Sequence, residues 1–276
     1  MKIIILTNDN YFSFKVLRDF LKEYRSSIKL IIFSSALIGK RNTFQTILWS
    51  LRNTGLRHTI YKTSVYGIFK AMKLICTACP FIKNKYSSNL WAKQNNINYI
   101  HSPKINEQPV VDKIKSINPD LIISVSMNQI VKKSILDIPK YGCINIHCAP
   151  LPKYQGMSPY VWALANGENA SAATIHYMTE GLDEGDIIVQ EFVPVIKNDS
   201  AFFLFLRCCI KASNLLLDTV KSITEGNVSS YKQDLSKKSY FSWPDKEAIK
   251  NLKTHGYSLM TFRDILFAIF RDKPRC

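Results

Sequence analysis

Short runs of Ile, Leu, Val and Phe, separated by segments of helical length, constrain this chain more than any other feature. Lys2–Thr7, Lys29–Ser34, Asn98–His101, Leu121–Ser126, Cys143–His147, Ala172–Met178 and Asp186–Val195 read as strands. Tyr11–Tyr24, Ser87–Asn96, Pro109–Asn118 and Ser158–Asn166 read as helices between them. A strand such as Leu121-Ile122-Ile123-Ser124-Val125 is apolar at consecutive positions, so both of its faces must be covered. That pattern predicts an α/β protein with a Rossmann-like, mostly parallel twisted sheet flanked by helices. The Ala172–Val195 pair would extend it in the antiparallel sense. Ala201–Glu225 has helical periodicity, with Phe202, Phe205, Leu206, Ile210, Leu215 and Leu216 on overlapping turns, and is expected to pack on the sheet.

The first strand runs into Asn8-Asp9-Asn10 and not into a glycine-rich turn. GxGxxG and GxxxxGK[ST] are both absent, which argues against an NAD site and a P-loop. The seven cysteines are scattered through apolar segments, a pattern of reduced thiols in a cytoplasmic protein. Cys76 and Cys79 have CxxC spacing but no second Cys/His pair nearby, so a packed helix is expected there and no metal. The apolar start of the chain is too short for a signal peptide. The segment 64–82 comes nearest to a membrane span. Lys70 and Lys73 fall in its middle, each costing about 2.5–3.5 kcal/mol at a bilayer centre, which excludes a spanning helix.

Chemistry concentrates in two places. Cys143-Ile144-Asn145-Ile146-His147 reads as a buried strand ending in two polar residues, followed by the stiff turn Leu151-Pro152-Lys153-Tyr154-Gln155-Gly156. Asn145 and His147 are two apart, so on a strand they share a face. Asp183 follows His147 by 36 residues, in a turn between Gly181 and Gly185. An amide donor, an imidazole and a carboxylate are what attack of an amine on a carbonyl carbon requires: an oxyanion donor, a proton carrier and a group to orient that carrier. Taken alone, Asn-x-His at a strand end is more often hydrogen-bonded structure, and a glycine-flanked Asp more often a turn former.

Asn145-x-His147, Leu151-Pro152-Lys153-Tyr154-x-Gly156 and Leu182-Asp183-x-Gly185 with Ile187 together resemble the signature of the folate-dependent formyltransferases. That family includes methionyl-tRNA formyltransferases and sugar N-formyltransferases. The similarity runs roughly from Asp120 to Val195. It implies a formyltransferase fold, a one-carbon transferase activity and N10-formyltetrahydrofolate as co-substrate. Carried over, it implies that Asn145 polarises the formyl oxygen, His147 stabilises the tetrahedral oxyanion, and Asp183 holds His147 and helps move the amine proton. His176 matches a family position near the site, where a strand histidine packed beneath the loop is an equal reading. The folate would lie against Met127, Asn128, Gln129, Ile130 and Val131, and against the loop of Met178, Gly181 and Leu182. Met127-Asn128-Gln129 replaces the small or glycine-containing turn of tRNA-directed members. Tyr154, Gln155 and Gly156 are expected at the acceptor entrance, with turn structure as the alternative for the first two, and Cys148 is expected as a packing residue.

The resemblance also divides the chain into a catalytic domain over 1–226 and a C-terminal appendage over 227–276. The appendage lacks the five strands of the barrel with which methionyl-tRNA formyltransferases bind tRNA. Its Trp243-Pro244…Phe262 region resembles formyltransferase-like proteins of surface-polysaccharide pathways. The expected acceptor is therefore an amino sugar on a nucleotide or a lipid phosphate. Charged initiator tRNA is the alternative, and hydrolysis of the folate a third reading. The net charge is +16, and no acidic residue lies between Glu23 and Glu107, an interval with 13 Lys and Arg. Within it, a helical insertion over about 40–93 sets Trp49, Leu51, Tyr61, Tyr66, Phe69 and Phe81 among Arg52, Arg57, Lys62, Lys70 and Lys73. A solvated basic face over core aromatics is one reading. The other is a docking surface for an anionic substrate or the inner face of an anionic membrane.

Overall fold

The computed structural model describes residues 1–34, 42–79 and 84–271. Lys40, Arg41 and Phe81 of the expected insertion, and residues 272–276 of the expected appendage, lie outside them. In chain order the elements are β1 (Ile3–Thr7), α1 (Tyr11–Glu23), β2 (Ile28–Ser34), α2 (Thr43–Asn53), α3 (Gly55–Ala78), α4 (Ser88–Gln94) and β3 (Tyr99–Ser102). There follow α5 (Gln108–Ile117), β4 (Leu121–Val125), α6 (Lys133–Leu136), β5 (Cys143–His147), β6 (Gln155–Gly156), α7 (Pro159–Ala165), β7 (Ala170–Tyr177) and β8 (Ile187–Pro194). The last are α8 (Ala201–Glu225), β9 (Tyr240–Phe241), α9 (Lys246–Thr254) and α10 (Phe262–Phe270).

Seven strands form one sheet in the order β3-β2-β1-β4-β5-β7-β8. The first five are parallel, and β7 and β8 join antiparallel, as the sequence predicts. Strand pleating divides the core in two. Ile3 and Ile5, Leu121 and Ile123, and Ile144 and Ile146 face a large cluster with Phe14 and Leu17 of α1 and Phe202 and Leu206 of α8. Ile4, Leu6, Ile122 and Cys143 face a smaller cluster with Val110, Val111 and Ile114 of α5. β1 is buried along its whole length, the physical reason for its unbroken apolar sequence.

Local chemistry sets the helix ends. Asn10 caps α1 through the backbone N–H of Ser13, whose hydroxyl accepts in return from Asn10 N–H, a capping box of about 1 kcal/mol. Ser200 caps α8, and Gly226, in the left-handed region at φ 74°, ends it. The chain then turns back over the sheet. Tyr231 bridges Ile187, β9 pairs with β6, and Ala248, Ile249 and Leu252 of α9 enter the large cluster.

The strand order reverses between β1 and β4, where α/β sheets open a ligand crevice beyond their carboxyl ends. Here the Asn8 side chain closes that end of β1 by donating to the Ser126 carbonyl at 2.7 Å. Asp9 accepts from the Ser87 hydroxyl and the Asn89 N–H and pairs with Lys73. The turn that cradles phosphate in dinucleotide folds thus ties α3 and α4 to the sheet instead.

Candidate active site

Cys143, Asn145 and His147 alternate onto one face of β5. Cys143 is absorbed by the smaller core, where burial pushes its thiol up to about 12. Asn145 and His147 lie beyond, toward the strand's carboxyl end. The antiparallel register sets Asn145 directly opposite His176 of β7. The His176 ring donates from Nδ1 to the Tyr177 carbonyl at 2.8 Å, which leaves Nε2 to accept from the Asn145 amide at 3.2 Å. His176 is 2% exposed, and burial lowers its pKa to about 4, outweighing the Asp183 carboxylate that favours the charged form. The neutral ring therefore orients Asn145, whose second amide hydrogen is left for another acceptor.

His147 is held differently. Its Nε2 donates to the Tyr154 carbonyl at 2.9 Å, so in the neutral ring Nδ1 carries a lone pair. That atom faces Asp183 Oδ2 at 3.8 Å, and His176 Nε2 lies 3.8 Å from the other carboxylate oxygen, both too long for hydrogen bonds. The structure thus gathers Asn145, His147, His176 and Asp183 within a few bonds' reach. Together they offer an amide donor, an unprotonated ring nitrogen and a carboxylate able to stabilise that ring once it gains a proton.

Asp183 sits in the left-handed region at φ 55°, which costs a non-glycine residue about 1–2 kcal/mol. Several bonds hold it there. Gly156 N–H donates to Oδ2 at 3.0 Å, and the Gln233 amide donates to the Asp183 and Gly185 carbonyls at 2.9 and 2.6 Å. Gln233 has no sequence signal: it reaches the loop from the segment after α8. Gly156 has φ 97° and lies so close to the Phe241 carbonyl that a side chain cannot fit. Gly185 is closed to substitution too, since a Cβ would collide with the Tyr177 carbonyl oxygen at the end of β7. Gly185→Ala must displace the loop two residues from Asp183. It is expected to lower kcat/KM by about a hundredfold, as for a displacement of about 1 Å. Steady-state kinetics beside a circular-dichroism melt check this, and an unchanged kcat/KM would show that the loop moves without moving the carboxylate.

The other expected residues fall into two groups. Met127 and Met178 both pack on the smaller core, which brings the 127–131 turn and the 178–182 loop to the same cluster. Ile130 and Leu182 are exposed there, Val131 is buried, and Gln129 accepts from the Ile105 N–H. Asn128 is exposed, with its amide oxygen 3.4 Å from the Ser34 hydroxyl. Gly181 is half-buried beside the Glu184 carboxylate. Tyr154 and Gln155, expected at the acceptor entrance, are instead buried at 4% and 3% exposure. Tyr154 stacks on Phe241 and donates its hydroxyl to Glu168, and Gln155 donates to the Asp183 carbonyl. Of the two readings the sequence left open, their burial matches the structural one. Cys148 lies in the large core beside Cys209. Cys76 is buried and Cys79 half-buried at the end of α3.

Residues 36–220 match the formyl transferase family. The methionyl-tRNA formyltransferase of Clostridioides difficile strain 630 is 41% identical over 197 residues, covering 66% of this chain and 64% of that protein. That of Clostridium novyi strain NT is 40% identical over 157 residues, covering 56% and 51%. The chain thus spans about half to two thirds of the length of these relatives. Among solved structures, the N-formyltransferase of Helicobacter canadensis, in complex with folinic acid and dTDP-3-aminofucose, superposes with a TM-score of 0.58. It is 20% identical and covers 88% of this chain and 71% of its own, a likeness of fold. A family match over two thirds of the sequence, on a sheet of the same architecture, establishes that the chain belongs to the formyl transferase family.

Proposed function

We propose that this protein moves a formyl group from N10-formyltetrahydrofolate to the primary amine of an amino sugar carried on a nucleotide or a lipid phosphate. The observation that carries the chemistry is the convergence of Asn145, His147 and Asp183 at the carboxyl end of β5. The amine lone pair attacks the formyl carbon, and the carbonyl electrons move to oxygen. The free amide hydrogen of Asn145, aimed by neutral His176, stabilises that oxyanion, and His147 adds to this as it gains charge. The amine proton passes to His147 Nδ1, and the imidazolium is stabilised by Asp183. Collapse of the oxyanion breaks the bond to the folate nitrogen, which receives the proton. In this proposal the folate lies against Met127–Val131 and Met178–Leu182, where two half-buried methionines offer adaptable apolar contact.

The acceptor reading draws on the segment after α8. Over the described residues it stays on the catalytic body, pairing β9 with the strand that holds Asp183 and packing α9 on α7. In this reading the acceptor reaches the 183 loop as a small molecule. The H. canadensis neighbour, with its bound amino sugar, supports that choice. Initiator tRNA is the second reading, favoured by the identity to methionyl-tRNA formyltransferases and the charge of +16. Folate release should be measured with a panel of nucleotide-linked amino sugars, with charged initiator tRNA, and with no acceptor. Amine-dependent release with a sugar is expected. Formylation of tRNA alone would overturn the sugar acceptor, and acceptor-independent release would make the enzyme a hydrolase.

A further inference from the structure

The helix α3 is apolar on its outward side as well as its inward one, unlike an ordinary surface helix. Toward the protein it turns His58, Thr59, Tyr61, Phe69 and Cys76. Outward it turns Leu56, Ile60, Tyr66, Leu74 and Ile75, each between 45% and 64% exposed. Its 24 residues make a strip about 36 Å long. Two other helices also expose large apolar side chains. Phe44 of α2 is 67% exposed, and Phe262 and Phe270 of α10 are 72% and 73% exposed. Tyr86 links α10 to the inward side of α3: it stands 6.0 Å from the Phe69 ring and donates its hydroxyl to the Ile269 carbonyl. A cleft of about 1030 Å³ beside α10 is lined by Phe203, Phe262, Phe267 and Phe270, with exposed Arg263 and Arg271 and the buried Asp199 and Asp264 among its walls. An exposed apolar surface on this scale marks an interaction site.

Its charge selects the partner. Arg52, Arg57 and Lys70 are exposed along α2 and α3, Arg263 and Arg271 on and after α10, and α2 and α3 contain no carboxylate. A second copy of a chain of charge +16 would set these cations against each other. A bilayer with anionic headgroups accepts both the cations and the apolar side chains between them. Among the described residues no helix is long and apolar enough to cross a membrane, so the contact would lie in the plane of the interface. We infer that the outward faces of α3 and α10, with α2, dock the protein on an anionic lipid bilayer. This docking does not rest on the identity of the acceptor.

Flotation of the full chain with phosphatidylcholine vesicles, with and without phosphatidylglycerol, tests it. Binding is expected only with phosphatidylglycerol and is expected to weaken as salt rises. Leu56→Ser/Ile60→Ser/Leu74→Ser should lower partitioning at least about tenfold. These side chains are exposed, so circular dichroism should show an intact fold. Phe192→Ser, at an exposed apolar residue on the edge strand β8, should float like the parent. Three results would overturn the inference. One is no flotation of the parent on anionic vesicles at low salt. Another is a triple variant that floats as well as the parent. The last is a parent that sediments as a dimer, becomes monomeric in the triple variant and never floats, which assigns the face to a second copy.

Discussion

Replacing His147 by Ala is expected to lower kcat for formyl transfer by about 10²–10⁴-fold, the range for loss of a positioned proton carrier. Folding should survive, because the ring's one hydrogen bond, to the Tyr154 carbonyl, is worth only about 1 kcal/mol net. Asp183→Asn is the finer probe. An amide can still accept from the Gly156 N–H through its oxygen, so the loop should stay in place while the charge beside Nδ1 disappears. If the carboxylate works by stabilising the imidazolium, kcat should fall by about a hundredfold and the KM for the folate by little. Asn145→Ala removes the oxyanion donor and is expected to cost about 10²–10³-fold. Rapid-quench measurement of formyl transfer separates these effects from folate binding. A His147→Ala enzyme within about threefold of the parent would sink the proton-transfer scheme, because no other unprotonated ring nitrogen faces the carboxylate except His176, whose Nε2 is already engaged with Asn145.

How much of this was legible in sequence depends on the length scale of the signal. Apolar runs fixed the seven strands of the sheet to within about two residues, because burial on both faces leaves consecutive positions no polar option. The two-residue period put Asn145 and His147 on one face, and the register with β7 then supplied His176 as a partner. What failed to show was anything made by a few residues far apart in the chain. β6 and β9 are two residues each and have no period to read, yet their pairing seats Gly156 against Asp183. Gln233 lies in a polar, irregular segment, and Asn8 in an ordinary turn. Tyr154 and Gln155 look like entrance residues because polar and aromatic side chains beside a motif usually face a ligand. Their burial follows from the strap of β9 lying across them. The insertion was legible as basic and aromatic, but α3 is apolar on both sides, so sequence could not say which side faced out.

The inward side of α3 carries the second large effect. His58 is 1% exposed, and neither ring nitrogen finds a hydrogen-bond partner. Burial, and then the nearby Lys62 charge, lower its pKa to about 3. A native pKa below the unfolded value of 6.5 means that the unfolded chain binds more protons between the two. Stability is therefore complete above about pH 6.5 and is lost as pH falls toward 3. At pH 5 the loss is about 2 kcal/mol, a figure set by the unfolded value alone because the native ring is still neutral there. His176, lowered to about 4, adds a second loss of the same sign and about the same size at pH 5. Its removal would disturb Asn145, whereas among the described residues no hydrogen bond or ring contact joins His58 to the site. His58→Leu has similar volume and deletes two unpaired polar atoms, so it should stabilise the protein by about 1–3 kcal/mol at pH 8. That advantage should grow by about 2 kcal/mol at pH 5 as one of the two titrating protons disappears. Urea unfolding at pH 8 and pH 5 measures both quantities. An advantage that is the same at the two pH values would show that the His58 ring is protonated or solvated in the native state, and that the interior under α3 is wetter than its packing implies.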